Sequence, residues 1–175
     1  MLEKGTHKYI YCQRDIPKDK WRYGFRSSAK TGCGWIATYN ALCMMGYSPE
    51  PERIIKFYEK QLPLIHGNTG TTAFAPVLYF RRQGFQVKYT MNYKQFDEIA
   101  KNADACLMYY LWHEPWKMGA HFIALHYTVG GFISYNTYRN SKGPNMIGES
   151  VEEFVRKKKF FGVFLIGLWD RKNIK

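Results

Sequence analysis

Ala120-His121-Phe122-Ile123-Ala124-Leu125-His126-Tyr127-Thr128-Val129-Gly130-Gly131-Phe132-Ile133-Ser134-Tyr135-Asn136 reads as two strands joined by a glycine-containing loop. Aromatic and β-branched residues fill both arms, as a pleated and buried surface requires. With the loop at 128–131, Tyr127 stands opposite Phe132. Counting outward then places Asn136 opposite Ile123, two residues from His121 and on its face. Diagonal neighbours on one face of an antiparallel pair lie roughly 7–8 Å apart, which brings an imidazole and a carboxamide within reach of each other. A loop one residue longer or shorter would send Asn136 to the opposite face.

The same composition recurs at Ala105–Trp112 and Gly162–Trp169, and the second arm of the hairpin extends over Phe132–Tyr138. Together these predict an antiparallel sheet in the C-terminal part. Before it the period changes. Trp35, Ile36, Tyr39, Leu42 and Cys43 form an apolar stripe over Gly32–Met45, a helix that Gly46 ends. Further helices are expected at Pro51–Gln61 and at Thr72–Gln83, where Gly84 supplies the stop. Phe85–Thr90 alternates as a strand, and Asn92 opens a helix over Tyr93–Asn102. Ser150-Val151-Glu152-Glu153 is a capping box for a helix reaching Phe160. The layout is α+β, one domain over residues 1–175.

A chain of 175 residues with 46% hydrophobic and 18% aromatic content can build a substantial core, which excludes a disordered protein. The 26 Lys and Arg exceed the 14 Asp and Glu, giving a formal charge of +12 and a surface that attracts anions at low salt. The basic residues are scattered, and the one dense run, Arg156–Lys159, falls on a single expected helix, so the reading is a solvated basic surface rather than a nucleic-acid binder. No apolar stretch reaches the length of a membrane span and no export signal opens the chain. A soluble, cytoplasmic protein is expected, or a secreted one if a signal has been removed.

Cys12, Cys33, Cys43 and Cys106 form no CxxC pair and no regular spacing, which disfavours a zinc site and a disulfide scaffold. Cys33 differs from the other three in standing at a helix N-terminus. There, unpaired N–H groups and the positive end of the helix dipole favour a thiolate. Gly32 and Gly34 flank it and would let a substrate approach closely, and its own N–H could serve an oxyanion. The competing reading is a buried structural thiol. Of the five histidines, His7, His66, His113, His121 and His126, only His121 has a geometric argument, through Asn136. A thiol at a helix terminus, a base on a strand and an orienting amide on the next strand compose a nucleophile, base and orienter. A protonated His121 beside Cys33 would lower the thiol pKa from about 8.5 into the range of roughly 3.5–7.5. HExxH, phosphate-loop and GxSxG motifs do not occur. Tyr109, Tyr110, Trp112 and Trp116 either line a cleft or belong to the core.

Thr31-Gly32-Cys33-Gly34-Trp35-Ile36-Ala37, with Gly119-Ala120-His121-Phe122-Ile123-Ala124-Leu125 and Tyr135-Asn136, resembles the papain-like cysteine peptidases. The bacterial branch that includes the double-glycine leader peptidases is the nearest in flavour. The order Cys, His, Asn and the fifteen residues from His121 to Asn136 are similar to that superfamily's pattern. The resemblance implies a papain-like fold, with N-terminal helices carrying the nucleophile against a C-terminal antiparallel sheet. It further implies thiol-dependent hydrolysis of a peptide or amide bond without a cofactor or metal, acting on a peptide or protein. Catalytic roles fall on Cys33, His121 and Asn136. One position departs: the superfamily commonly has a Gln a few residues before the nucleophile, where this chain has Arg26-Ser27-Ser28-Ala29. Ser27, Ser28, Tyr23 and, if the chain folds back, Gln13 are the alternatives for that oxyanion donor. The rival function is a catalytically silent papain-like domain that binds a peptide or an anionic partner. A related Cys–His acyltransferase or deamidase would use the same residues.

Overall fold

The computed structural model describes residues 2–6, 8–60 and 71–171. After a 3₁₀ turn at Gln13–Asp15 come β1 (Arg22–Tyr23), β2 (Arg26–Ser27), α1 (Ser28–Thr31), α2 (Cys33–Met44), α3 (Pro51–Lys60) and α4 (Ala75–Arg82). β3 (Gln86–Thr90), a 3₁₀ turn at Tyr93–Gln95, α5 (Phe96–Asn102), β4 (Ala105–Glu114) and β5 (Lys117–Thr128) follow. The chain finishes with β6 (Gly131–Tyr135), β7 (Asn145–Gly148), α6 (Val151–Lys157) and β8 (Phe161–Trp169). The expectations for Gln61, His7 and His66 lie outside the described residues.

The architecture is α+β. Six strands form one antiparallel sheet in the order β3-β8-β4-β5-β6-β7, and β1 and β2 form a separate small hairpin. Both faces of the large sheet are covered, which is why its central strands read as almost unbroken apolar runs. Ala105 and Leu107 of β4, Phe122 and Ala124 of β5, and Phe164, Ile166 and Leu168 of β8 meet α2, α3 and α4. The alternate residues, Cys106, Met108 and Tyr110, Ile123 and Leu125, and Val163 and Leu165, meet α5 and α6. Period-2 alternation thus divides the chain between two apolar cores. Among the described residues no helix is long and apolar enough to cross a membrane.

Helix boundaries shift for local reasons. α4 starts at Ala75 rather than Thr72, because Pro76 is tolerated only in a first turn. Asn92 accepts from Lys94 N and therefore caps the 3₁₀ turn, leaving α5 to begin at Phe96. α6 stops at Lys157: Lys159 adopts a left-handed φ of 55°, and Phe160 N–H turns back to the Val155 carbonyl at 3.1 Å. β6 ends at Tyr135 rather than Tyr138, because Asn136 has a φ of 59° and takes the chain out of the sheet. β7 and the β1–β2 hairpin, too short for a periodic signal, had no counterpart in the expectations.

Candidate active site

The hairpin register follows from its tight turn: Thr128 pairs with Gly131, Tyr127 with Phe132 and Ala124 with Tyr135. Continued by one more hydrogen-bonded step, that register would set Thr137 opposite Phe122. The turn at Asn136 prevents it, so β6 gives Phe122 no partner. The Phe122 N–H is close enough to the sulfur of Cys33, at the start of α2, to favour its thiolate. The nucleophile candidate therefore reaches the sheet at the residue immediately after His121.

His121 itself extends to the same gap. Its Nε2 lies 2.6 Å from the backbone carbonyl oxygen of Asn136. A carbonyl only accepts, so Nε2 carries the hydrogen and the neutral ring keeps its lone pair on Nδ1. Sequence pattern placed Asn136 within reach of His121 but through the wrong group, since the carboxamide is engaged elsewhere. Its Oδ1 accepts from the backbone N–H of Gln13 at 2.8 Å, and the residue is 2% exposed. The expected imidazole–carboxamide bond is thus replaced by an imidazole–backbone bond. The physical reason is the left-handed conformation of Asn136, which Asn adopts more readily than most residues.

Gln13 arrives because the N-terminal segment folds back over α2. Asn40 of that helix grips Ile10 by its N–H and its carbonyl, both at 2.9 Å. Tyr39 Oη donates to the Lys8 carbonyl at 3.0 Å. Cys12 Sγ donates to the Arg139 carbonyl at 3.0 Å. Gln13 Nε2 then donates to the Ala29 carbonyl at 3.1 Å, one turn before Cys33. Nothing local in residues 8–13 announces this path, which depends on partners 16 or more positions away.

A cleft of about 1050 Å³ opens here, and Gln13, Ala29, Tyr110, Trp112, His121 and Asn136 are among the residues of its wall. Cys33 is not one of them and is half-buried. Tyr110 sets its ring edge-on to His121 with centroids 5.8 Å apart and stacks on Phe160 at 3.9 Å. Tyr109 packs instead against the α2 core, and Trp116, 94% exposed, stands at the tip of the β4–β5 hairpin. A smaller cavity of about 170 Å³, bordered by Leu2, Arg53, Phe57 and Tyr79, contains none of Cys33, His121 and Asn136.

The electrostatics depart from the expected ion pair. Burial pushes the Cys33 thiol above its usual value of 9.0, and the N–H groups of Phe122, Gly34 and Cys33 itself only partly oppose it. Burial likewise holds His121 below 6.5, against the hydrogen bond to the Asn136 carbonyl. Thiol and imidazole are both neutral near pH 7, because desolvation outweighs the helix terminus. The two glycines have a different role from the one expected. A Cβ on Gly34 would meet Thr71 Oγ1 at 2.6 Å, and one on Gly32 would meet the Ser28 carbonyl and Trp35 Nε1 at 2.6 Å. They admit protein atoms, so packing explains both. Among the described residues no group of three or more His, Cys, Asp or Glu side chains is placed to hold a metal ion.

The chain matches no protein-family model and no curated protein.

Proposed function

We propose that this protein is a papain-like cysteine hydrolase acting on a peptide or amide bond, with Cys33 as nucleophile, His121 as base and Asn136 as orienter. The observation that carries this reading is the bond from His121 Nε2–H to the Asn136 carbonyl at the gap between β5 and β6, beside the Phe122 N–H that favours the Cys33 thiolate. A helix-terminal thiol next to a tautomer-fixed imidazole on an antiparallel sheet also supports the papain-like fold.

Because the thiol rests neutral, Nδ1 of His121 takes its proton as sulfur attacks the carbonyl carbon. The negative oxygen that forms is held by the Cys33 N–H and, once its bond to Ala29 is exchanged, by Gln13 Nε2. The imidazolium then protonates the leaving amine as the C–N bond breaks. Water, activated by the same Nδ1, releases the acyl group from sulfur. Asn136 acts as a positioning residue through its carbonyl, keeping Nε2 as the donor.

Incubation with a mixed peptide library and mass spectrometry of the products tests this. Cys33→Ala and His121→Ala should each lower turnover by about 10³-fold or more with the circular dichroism spectrum unchanged. Undiminished turnover in Cys33→Ala rules out the thiol mechanism. The raised pKa of Cys33 gives the second reading its support, a silent domain that only binds its ligand. Peptide binding with no turnover in the parent protein would favour that second reading.

A further inference from the structure

Across the chain, 26 cations face 14 carboxylates, about two to one. Around the cleft the balance is five to one: Arg14, Arg26, Lys30, Arg139 and Lys158 against Glu114. These five come from the first 3₁₀ turn, β2, α1, the loop after β6 and the end of α6. A basic helix face arises from one run of sequence, whereas this ring is assembled by the fold. Like charges gathered at one opening repel each other, and an anion that enters relieves that repulsion. The ion pairs found among the described residues join Lys4 to Asp170, Arg53 to Glu50 and Arg156 to Glu152, so none neutralises Arg14, Lys30, Arg139 or Lys158.

Two of the cations are held over aromatic walls. The Arg139 guanidinium lies 5.8 Å from the ring centre of Trp112, and the Lys158 ammonium 5.3 Å from that of Tyr138. Trp112 is seated in turn by Gly119, where a Cβ would come within 2.4 Å of the indole. Charge at the rim and rings on the walls suit an extended chain with carboxylates on its side chains. We infer that the cleft selects acidic peptides, its cations pairing with Asp or Glu side chains near the bond to be cut. This specificity rests on the hydrolase reading above.

All five cations are exposed, so they act through water and salt screens them. Their effect belongs in association and in kcat/KM rather than in kcat. The test uses Cys33→Ala protein and fluorescein-labelled peptides of alternating Asp and Ala or alternating Asn and Ala, read by fluorescence anisotropy. The Asp peptide should bind about tenfold more tightly at low salt, and the preference should vanish near 1 M salt. Arg139→Glu combined with Lys158→Glu should remove it. Lys56→Glu combined with Lys88→Glu, exposed and outside the cleft, should retain it at the same net charge. Equal affinity for the two peptides, or equal loss in both double variants, would overturn the inference. So would displacement of the Asp peptide by poly(U) at lower concentration than by unlabelled peptide, which would assign the ring to nucleic acid. Discriminating binding with no turnover in the parent would sink only the hydrolase reading, and turnover with no acidic preference only this specificity.

Discussion

At Cys33 two opposing effects meet, and their sizes decide the chemistry. A helix N-terminus and three N–H groups favour the thiolate, while loss of water favours the thiol, and loss of water prevails. His121 is shifted in the complementary direction, below 6.5, for the same reason. Alkylation of Cys33 by iodoacetamide, followed by mass spectrometry, should therefore be slow at about pH 6 and should climb only as pH passes the ordinary thiol range. Cys12, Cys43 and Cys106 are buried, which keeps the readout on Cys33 under native conditions. A fast plateau at about pH 6 that collapses in His121→Ala would instead establish a thiolate–imidazolium pair.

At the scale of elements, the second core depends on how α6 is tied to α5. Ser150 Oγ accepts from Glu153 N–H at 3.0 Å, the N-cap bond predicted by its capping box. The unexpected partner is Asp97 of α5, whose carboxylate takes Ser150 Oγ–H and Val151 N–H, both at 2.6 Å. One acid thus caps a helix 54 positions away and complements its dipole. Asp97→Ala should cost about 1–2 kcal/mol in urea unfolding, whereas Glu98→Ala, exposed on the same turn, should stay within about 0.5 kcal/mol. A loss no larger at Asp97 than at Glu98 would mean that α6 is held by its apolar face alone.

At the scale of the whole molecule, many phenols and thiols are buried or half-buried. Burial raises Tyr9, Tyr39 and Cys43 to about 12, and Tyr58 and Cys106 are also raised. In the unfolded chain thiols lose their protons near 8.5 and phenols near 10, so the folded state binds more protons above that range. Stability should fall as pH rises through about 9 to 12, and the urea midpoint should be lower at about pH 10.5 than at about pH 8. His121 and His126 are both held low by burial, so the unfolded chain binds more protons below 6.5 and stability should fall there too. A midpoint unchanged between about pH 8 and about pH 10.5 would show that the phenols and thiols ionise alike in both states.

Sequence alone determined what neighbours along the chain can decide. Aromatic and β-branched runs specified β4, β5, β6 and β8, and turn length specified the β5–β6 register, because side chains alternate with a period of two. The helix stripe and its boundary glycines put Cys33 at the start of α2 for the same local reason. Tertiary structure decided the rest. The carbonyl rather than the amide of Asn136 meets His121 because a distant Gln13 N–H occupies the amide. Gln13 enters the cleft because Asn40 and Asn136 hold a segment with no periodic signal of its own. The protonation of Cys33 follows from how much water two packed layers exclude, a quantity that sums over the whole fold. The cationic ring also exists only once four separated stretches of chain converge on one opening, with Arg26 and Lys30 sharing the stretch formed by β2 and α1.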